Sequence, residues 1–392
     1  MLTKAQALQK QMVAWRRDIH SHPELSFSEF RTAETIAEIM KNMGYRVQTG
    51  VGKTGVVAEL GEGKPVVAIR ADMDALPIKE ANKVPYKSKN KNVMHACGHD
   101  VHVAIALGTA KLLSEEKFDG TIRFLFQPAE EVEDEEGFSG ARRMIQDGAI
   151  RDVDYALALH TNASLPTGQI EIATKFASAG VDTFYARIIG KGGHGATPHK
   201  VIDPIYISGH IVLAMHGIVS RRLRPFDSAV ISIGSINGGQ IDNVIPEEVN
   251  LSGTIRFLTT EVQESIHTEI RNIMEITKAM GGDFELIIQK GYPPMHNDKE
   301  IVALLNDVAA EFVGSQQISI PDVEMGAEDF GYFLQETKGA MFMLGCEIEG
   351  DTRRHHDPKF DVDENCMPIG AAIFTQAALK LFGEWGQKTV IG

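Results

Sequence analysis

A thiol and an imidazole stand two residues apart in His95-Ala-Cys-Gly-His-Asp100, directly before a stretch with helical periodicity. Cys97 and His99 therefore share a loop. Thiolate and imidazole are ligands that zinc and its first-row neighbours prefer. The alternative is a buried cysteine beside helix-capping residues, and this segment taken alone leaves both interpretations open.

Two adjacent carboxylates close the segment Gln127-Pro-Ala-Glu-Glu131, where an apolar strand ends. Neighbouring side chains at a strand end point in different directions. One carboxylate could bind a metal while the other faces the water that is activated, as a metallohydrolase requires. The acidic run at 133–136 supports the alternative of a solvated loop, but only Glu130 and Glu131 end a buried strand.

Histidines near two other segments are further candidates. His160 ends the apolar strand Tyr155–Leu159, and open α/β sheets place their active sites at the carboxyl ends of strands. A satisfied core histidine is the alternative for His160. His355 and His356 lie in a polar loop near the C-terminus, and a surface pair is the alternative there.

The segment Asp72-Met-Asp74 follows the apolar strand Val66–Arg70. One of its two carboxylates could hold a histidine ligand in the correct orientation from behind, which is common at metal sites. The alternative is capping of the loop ahead of Pro77.

The glycine-rich segment Gly190-Lys-Gly-Gly-His-Gly195 formally matches a dinucleotide-binding fingerprint, but Pro198 interrupts the stretch where a helix would be needed. No acidic residue ends a second strand at the distance that such a site requires. We therefore interpret the segment as a turn that presents His194. Asn243 and Arg256 supply an amide and a guanidinium nearby in sequence, and arginine suits a carboxylate because its fork grips both oxygens. An ion pair on the outer face is the alternative for Arg256.

The elements that must position these residues alternate between strands and helices at both ends of the chain. Continuous apolar runs are typical of strands that are covered on both faces. Together with a helix at His102–Leu113, they predict an α/β layered core with a central sheet. The predicted strands are Gly55–Leu60, Val66–Asp72, Thr121–Gln127, Tyr155–Leu159 and Met341–Cys346.

The middle of the chain has a different pattern, of order β-α-β-β-α-β, which is typical of a ferredoxin-like α+β unit. Thr260-Glu-Val-Gln263 is interpreted there as a capping box that opens a helix. We predict a discontinuous catalytic domain, 1–178 and 293–392, with a smaller domain, 179–292, inserted into it.

Composition excludes several classes of protein. The 392 residues carry a formal net charge of −14, which argues against nucleic-acid binding because phosphates require basic stripes. No run of 18 apolar residues and no signal peptide is evident, so no membrane association is expected. Three cysteines cannot form a disulfide framework, which favours the cytoplasm.

Taken in order, these segments resemble the dinuclear-metal family of aminoacylases, hippurate hydrolases and glutamate carboxypeptidases. Within it they are most similar to bacterial N-acyl-amino-acid amidohydrolases and plant auxin-conjugate hydrolases. The resemblance spans nearly the whole chain. The matching segments are Arg17-Asp-Ile-His-x-His-Pro-Glu24, Arg70-Ala-Asp-Met-Asp-Ala-Leu-Pro77, His95–Asp100, Gln127–Glu131, Gly192-Gly-His-Gly-Ala196, Asn243–Pro246, Gly326-Ala-Glu-Asp-Phe330 and His356-x-Pro358.

The resemblance implies a metallopeptidase-like catalytic domain, and it implies that the insert is a lid and dimerisation domain. It implies that Glu130 is the general base, that Asp74 supports the metal site from behind, and that His194 stabilises the oxyanion in the partner subunit of a homodimer. Asn243 and Arg256 would hold the α-carboxylate of the substrate. The implied metal ligands are Cys97, His99, Glu131, His160 and His356.

One departure from the family pattern concerns the first metal ligand. Many relatives carry His-x-Asp where this chain has Asp72-x-Asp74, so the usual first histidine is absent and the Cys97/His99 pair replaces it in the branch named above. Two divalent ions per subunit are implied, and zinc, manganese, cobalt and nickel are all admissible.

The leading hypothesis for function is an amidohydrolase that cleaves N-acyl-L-amino acids of the N-acetyl or N-benzoyl type. A metallocarboxypeptidase or dipeptidase acting on short peptides is the alternative within the same chemistry. A non-catalytic metal- or peptide-binding protein on the same fold is the alternative from another class, although Glu130 beside Glu131 argues against it.

Overall fold

The computed structural model describes residues 1–350 and 353–391, with side chains up to residue 383. Three residues of the predicted catalytic segment 293–392, at 351, 352 and 392, lie outside the described residues. The helices are α1 (Leu2–Ala7), α2 (Gln9–Ser21), α3 (Phe30–Asn42), α4 (His99–Leu113), α5 (Gly140–Gln146), α6 (Pro204–Arg221), α7 (Thr260–Ala279), α8 (Lys299–Val313), α9 (Phe330–Glu336) and α10 (Met367–Ile391). The strands are β1 (Arg46–Val51), β2 (Gly55–Glu62), β3 (Val66–Asp72), β4 (Gly120–Gln127), β5 (Tyr155–Pro166), β6 (Ile170–Glu171), β7 (Phe176–Ser178), β8 (Gly180–Ile189), β9 (Gly193–His194), β10 (Ala229–Asn237), β11 (Val244–Ile245), β12 (Glu248–Phe257), β13 (Asp283–Lys290), β14 (Met295–His296), β15 (Ile318–Ser319) and β16 (Lys338–Glu347).

The chain forms two compact units. The first comprises Met1–Ala177, His296–Asp322 and the chain from Tyr332 onward. The second comprises Ser178–Met295 and Val323–Gly331. Each unit has its own hydrophobic core.

The second unit exceeds the predicted insert, 179–292, by Ser178, by residues 293–295 and by the segment Val323–Gly331. The backbone N–H of Ala179 donates to the carbonyl of Gly326 at 2.8 Å. Arg256 Nη1 donates to the carbonyl of Met325 at 3.4 Å. Two of the contacts that attach the segment are thus made to main-chain carbonyls, which leave no pattern in the sequence.

A mixed eight-stranded sheet forms the centre of the first unit, in the order β1-β2-β4-β3-β5-β16-β6-β15. β3 lies between β4 and β5 and runs parallel to both. Every residue of β3 is buried, and a strand covered on both faces has a continuous apolar sequence for that reason. Asp72 at the end of β3 pairs with Gln127 at the end of β4, so the segments that follow the two strands leave the same edge of the sheet. The predicted α/β layered core is confirmed.

Helix α4 follows the loop that carries Cys97 and packs against β3 and α10. It begins at His99 after Gly98, whose φ is +93°. A Cβ at position 98 would lie 2.3 Å from Thr161 Oγ1, so only glycine fits there. The helix therefore starts three residues earlier than its apolar periodicity indicated, and His99 belongs to its first turn.

The second unit contains a four-stranded antiparallel sheet in the order β10-β12-β8-β13. Its chain order β8-α6-β10-β12-α7-β13 and this strand order are those of a ferredoxin-like unit. Inward and outward residues alternate along β8 and β13, as they do when helices cover one face of a sheet. The small pair β9 and β11 extends the antiparallel pair of β8 and β12. The predicted ferredoxin-like architecture is confirmed.

The ends of two predicted elements were wrong. β5 does not end at Leu159 but continues to Pro166, so His160 lies inside the strand. Pairing with β3 stops at Ala158 while pairing with β16 continues, which opens one side of the strand at His160. Helix α7 is capped by Thr259 rather than opened by a box at Thr260, because Thr259 has extended backbone and its side chain accepts from the N–H of Val262.

One segment of the described residues, Glu364–Gly383, is long and apolar enough to cross a membrane by length and composition alone. Within that segment, 72% of the apolar window is buried inside the protein. Met367, Phe374 and Phe382 belong to the core of the first unit. Its apolar composition is therefore that of a core helix.

Candidate active site

The five predicted metal ligands lie together in the first unit. The candidate ligand atoms of Cys97, His99 and His160 lie within 4.8 Å of one another, and so do those of Cys97, Glu131 and His356. Glu130 and Glu131 form a third such group with His99. Cys97 is common to the first two groups, so its sulfur lies between two sets of donors.

These side chains come from separate elements that end at one edge of the sheet. Cys97 lies in the loop before α4, Glu131 follows β4, and His160 lies on β5 where its pairing with β3 has ended. His356 lies in a loop with φ +66°. The N–H of His356 donates to the carbonyl of Ala96 at 2.8 Å, which fixes the two loops against each other.

Asp74 connects His99 to the turn that carries the paired glutamates. Its Oδ1 accepts the N–H of Glu130 and its Oδ2 accepts the N–H of Glu131, both at 3.1 Å. Ser26 Oγ also donates to Oδ2, at 2.7 Å, and His99 Nδ1 lies 3.2 Å from Oδ1. Burial alone would raise the pKa of Asp74, but the hydrogen bonds from His99 and Ser26 outweigh it and the pKa is lowered. Asp74 therefore acts as a fixed anion behind the cluster.

The donor set suits a cation. With Nδ1 of His99 directed to Asp74, its buried Nε2 makes no hydrogen bond among the described residues and lies 3.6 Å from Asp72 Oδ2. Oε1 of Glu131 lies 3.2 Å from Nε2 of His356. Although burial opposes it, the charges of His160 and His99 hold the pKa of the Cys97 thiol well below its ordinary range, which favours the thiolate that binds metals. Hydrogen bonds to Cys97 and Glu131 raise the pKa of His356 to about 10. The proton that Cys97 and Glu131 hold on His356 is one that a divalent ion displaces when it binds.

Asp72 does not replace the missing histidine as a freely directed ligand. It is fully buried, with Oδ2 accepting from Arg70 Nη1 and Oδ1 hydrogen-bonded to His102 Nδ1, both at 2.6 Å. His102 Nε2 in turn lies 3.0 Å from Thr161 Oγ1. His102 was not singled out from the sequence, although its spacing of three residues from His99 on a helix places both on one face.

His194 and Asn243 lie together in the second unit. His194 on β9 pairs with Val244 on β11, and the carbonyl of Asn243 accepts the N–H of Gly195 at 2.8 Å. His194 is exposed, and its Nδ1 accepts the N–H of Ala196 at 3.0 Å. The imidazole is thus oriented by its own turn and leaves its other nitrogen directed to solvent or to a ligand.

Arg256 lies at the opposite end of the antiparallel pair of β8 and β12. It pairs with Val181 near the start of β8, whereas Glu248 pairs with Ile189 at the end of β8, next to β9. The eight steps along the strand from Glu248 to Arg256 span about 26 Å at the rise of a strand. Within one chain, the second unit therefore does not bring Arg256 together with His194 and Asn243.

Arg256 has no ion-pair partner among the described residues. Its Nε donates to Thr254 Oγ1 at 3.2 Å and its Nη1 donates to the carbonyl of Met325. Burial lowers its pKa, and no carboxylate offsets this. The predicted alternative of an outer-face ion pair is therefore wrong, and the half-buried guanidinium suits an anionic ligand.

Residues 68–380 match the profile of peptidase family M20/M25/M40. The chain belongs to this family. N-acetyl-L-cysteine deacetylase of Bacillus subtilis is 38% identical over 95% of this chain and 88% of its own length. Thermostable carboxypeptidase 2 of Saccharolobus solfataricus is 40% identical over 93% of this chain and 94% of its own length.

A solved structure of the M20 family has the same fold throughout. The Bacillus subtilis protein described as a dinuclear metal-binding peptidase superimposes with a TM-score of 0.84, at 32% identity, over 96% of this chain and 99% of its own. The predicted family and its hydrolase class are confirmed, and the chain is an M20-family hydrolase. The roles assigned to individual site residues stay predictions.

Proposed function

We propose that this M20-family hydrolase cleaves the amide bond of N-acyl-L-amino acids, of the N-acetyl or N-benzoyl type, to a carboxylic acid and a free amino acid. The observation that carries the proposal is the pair Glu130–Glu131, held by Asp74 at 3.1 Å beside His99. In this proposal Glu131 binds metal and Glu130 transfers the proton. The deacetylase relative supports the substrate class.

Two divalent metal ions fit the ligand cluster, because it combines a thiolate, imidazoles and a carboxylate, and because the buried Nε2 of His99 makes no hydrogen bond among the described residues. We propose zinc, manganese, cobalt or nickel, which such mixed donors accept. The residues that would hold them are Cys97, His99, Glu131, His160 and His356. When bound, the ions would supply Lewis acidity that polarises the amide carbonyl and makes water more acidic.

Glu130 is the proposed general base. Its carboxylate takes a proton from the attacking water and returns it to the nitrogen of the leaving amine, which cannot depart as an amide anion. Asp74 keeps the Glu130–Glu131 turn and the His99 ring in register throughout the reaction. His194 would donate a hydrogen bond to the oxyanion of the tetrahedral intermediate.

Arg256 is proposed to hold the α-carboxylate of the substrate, together with Asn243. Arg256→Ala should lower kcat/KM for N-acetyl-L-methionine by about tenfold to a hundredfold, the range expected for a lost hydrogen bond between charged groups. N-acetyl-L-methionine amide lacks the carboxylate and should lose little. Arg187→Ala is the matched control, because Arg187 lies on the same sheet and pairs with Glu248 and Glu285 instead. Equal losses on both substrates would refute the assignment.

We propose a homodimer in which one copy supplies His194 and Asn243 to the site of the other. The support is the separation of Arg256 from His194 along β12, since one small substrate cannot reach both ends of the β8–β12 strand pair. Light scattering of the purified protein should give twice the mass of one chain.

Mixing two impaired variants tests the shared site. His194→Ala and Arg256→Ala should each be impaired alone. After exchange of subunits they should recover about a quarter of the unmutated activity, because half of the dimers are mixed and each mixed dimer holds one intact site. If His194 served its own chain, each mixed dimer would hold no intact site and the activity would not recover.

A metallocarboxypeptidase or dipeptidase is the second candidate, supported by the carboxypeptidase relative. Both activities cleave an amide bond near a carboxylate, so the metal-ligand cluster with Glu130 could catalyse either reaction. Rates on N-acetyl-L-methionine and N-benzoylglycine against a panel of Gly-Xaa dipeptides decide between them. Faster turnover of the dipeptides would favour the second candidate.

We also propose that the protein works in the cytoplasm. The three cysteines, Cys97, Cys346 and Cys366, are free thiols, which is the usual state in a reducing compartment. Fractionation of the source cells tests this, and recovery of the protein outside the cytoplasm would contradict it.

A further inference from the structure

The turn 128–131 carries the proposed base and a proposed ligand, and two buried carboxylates hold it from behind. The N–H groups of Glu130 and Glu131 donate to Asp74. The N–H of Ala129, the residue before them, donates to Oε1 of Glu29 at 2.9 Å. Three successive backbone amides are thus bound by two carboxylates, of which only Asp74 was predicted from the sequence.

The backbone of this turn is not self-supporting. Ala129 has φ +44°, a left-handed conformation that costs energy for a residue with a Cβ. Its carbonyl accepts the N–H of Gly140 at 2.9 Å. A Cβ at Gly140 would lie 1.6 Å from the carbonyl oxygen of Pro128, so glycine is required for this approach. Contacts from other segments therefore impose the conformation.

Glu29 is placed to supply one of those contacts. It is fully buried at the residue before α3. Its Oε2 accepts from Thr54 Oγ1 at 2.5 Å, and Thr54 is itself buried. Burial and the nearby charge of Asp74 raise the pKa of Glu29 to about 7. A carboxyl group is costly to bury without hydrogen bonds, and the N–H of Ala129 supplies one of them.

The loop that delivers Glu29 also supports Asp74. Ser26, three residues earlier, donates to Asp74 Oδ2, and Glu24 accepts the N–H groups of Arg31 and Thr32 at the start of α3. The segment from Glu24 to Glu29 therefore anchors both carboxylates of the turn to α3. This gives a role to the His-Pro-Glu motif that the reaction itself does not use.

We propose that Glu29 is a positioning residue for hydrolysis: by binding the N–H of Ala129 it fixes the turn that aims the carboxylate of Glu130. The inference rests on the proposed role of Glu130 as general base. Glu29 acts through Ala129 and contacts neither the proposed ligands nor the substrate. Its loss should therefore affect the chemical step more than substrate binding or metal content.

The variants are Glu29→Ala and Glu29→Gln, with Asp154→Ala as the matched control. Asp154 also accepts a backbone amide, from Val66 at 2.8 Å, but at the opposite end of β3. Glu29→Ala should lower kcat for N-acetyl-L-methionine by about tenfold to a hundredfold, as misplaced catalytic groups do. KM should stay within about threefold of the unmutated value, because the groups that bind the substrate are unchanged. Metal content should match that of the unmutated protein.

Glutamine is the conservative rescue, because its amide oxygen can accept from Ala129 while its NH₂ donates to the Thr54 hydroxyl. Glu29→Gln should therefore recover kcat to within about fivefold of the unmutated enzyme. Asp154→Ala should leave kcat within about twofold. A kcat of Glu29→Ala within about threefold of the unmutated value, or a Glu29→Gln as slow as Glu29→Ala, would overturn the proposal.

Hydrogen exchange supplies a readout that does not depend on activity. In the metal-free protein, the peptide covering 128–131 should exchange faster in Glu29→Ala than in Glu29→Gln or the unmutated chain, because the Ala129 amide loses its acceptor. Unchanged exchange in Glu29→Ala would show that Glu29 does not fix the turn 128–131, even if no substrate is found. If the unmutated protein hydrolysed no substrate but Glu29→Ala still exchanged faster, the proposed function would be refuted. The support that Glu29 gives to the turn 128–131 would still stand.

Discussion

Glu130→Gln should lower kcat by about a hundredfold to ten-thousandfold, the contribution of a general acid–base group. Glutamine has nearly the same shape as glutamate but cannot accept the proton from water. The backbone N–H of residue 130 would still donate to Asp74, so the turn, the bound metal and KM should change little. The measurement is steady-state hydrolysis of N-acetyl-L-methionine with added Mn²⁺ or Zn²⁺, with metal content determined on the same samples.

A control from the same acidic run separates this role from general acidity. Glu135 is an exposed member of the run 133–136, so Glu135→Gln should keep kcat within about twofold. If Glu130→Gln hydrolyses the substrate within about threefold of the unmutated rate, Glu130 is not the base. The non-catalytic alternative would gain support if the unmutated protein were equally inactive while binding metal.

Cys97→Ala should remove metal from the protein and with it the activity. The sulfur belongs to the groups Cys97–His99–His160 and Cys97–Glu131–His356, so both proposed ion sites lose a donor. Metal content should fall from about two ions per chain to one or fewer, since each such site depends on all of its ligands. The rate should fall by more than about a hundredfold.

Cys346→Ala is the matched control for this experiment. Cys346 is a fully buried free thiol at the end of β16, and burial raises the pKa of its thiol to about 12. Cys346 should therefore behave as a small packing residue, and the Cys346→Ala variant should retain its metal. Two ions per chain in Cys97→Ala, with a rate within about threefold of the unmutated protein, would show that the sulfur is not a ligand.

The sheet and most of the ligand cluster could be predicted from the sequence because burial leaves a pattern. β3 is continuously apolar because both of its faces are covered, and the strand ends locate Asp74 and Glu131. The β-α-β-β-α-β order predicted the topology of the second unit. Cys97 and His99 could be predicted as ligands from their side-chain types, because thiolate and imidazole are common metal ligands.

Contacts between distant main-chain and side-chain groups left no such pattern. Glu29 lies 100 residues from Ala129 in the sequence and accepts its backbone N–H. Because the donor is a main-chain group, the alanine side chain gives no indication of this contact. His102 lies inside an apolar helix and pairs with Asp72 thirty residues away. The separation of Arg256 from His194 depends on the β8–β12 register, which a one-dimensional pattern does not specify.

Metal titration of the metal-depleted protein tests the central claim most directly. The rate of N-acetyl-L-methionine hydrolysis would be followed as Mn²⁺ or Zn²⁺ is added to a known concentration of chain. The rate should rise from near zero and saturate at about two ions per chain, because the donor atoms form two groups around Cys97. A rate that does not depend on metal, or no hydrolysis at any stoichiometry with zinc, manganese, cobalt or nickel, would contradict it.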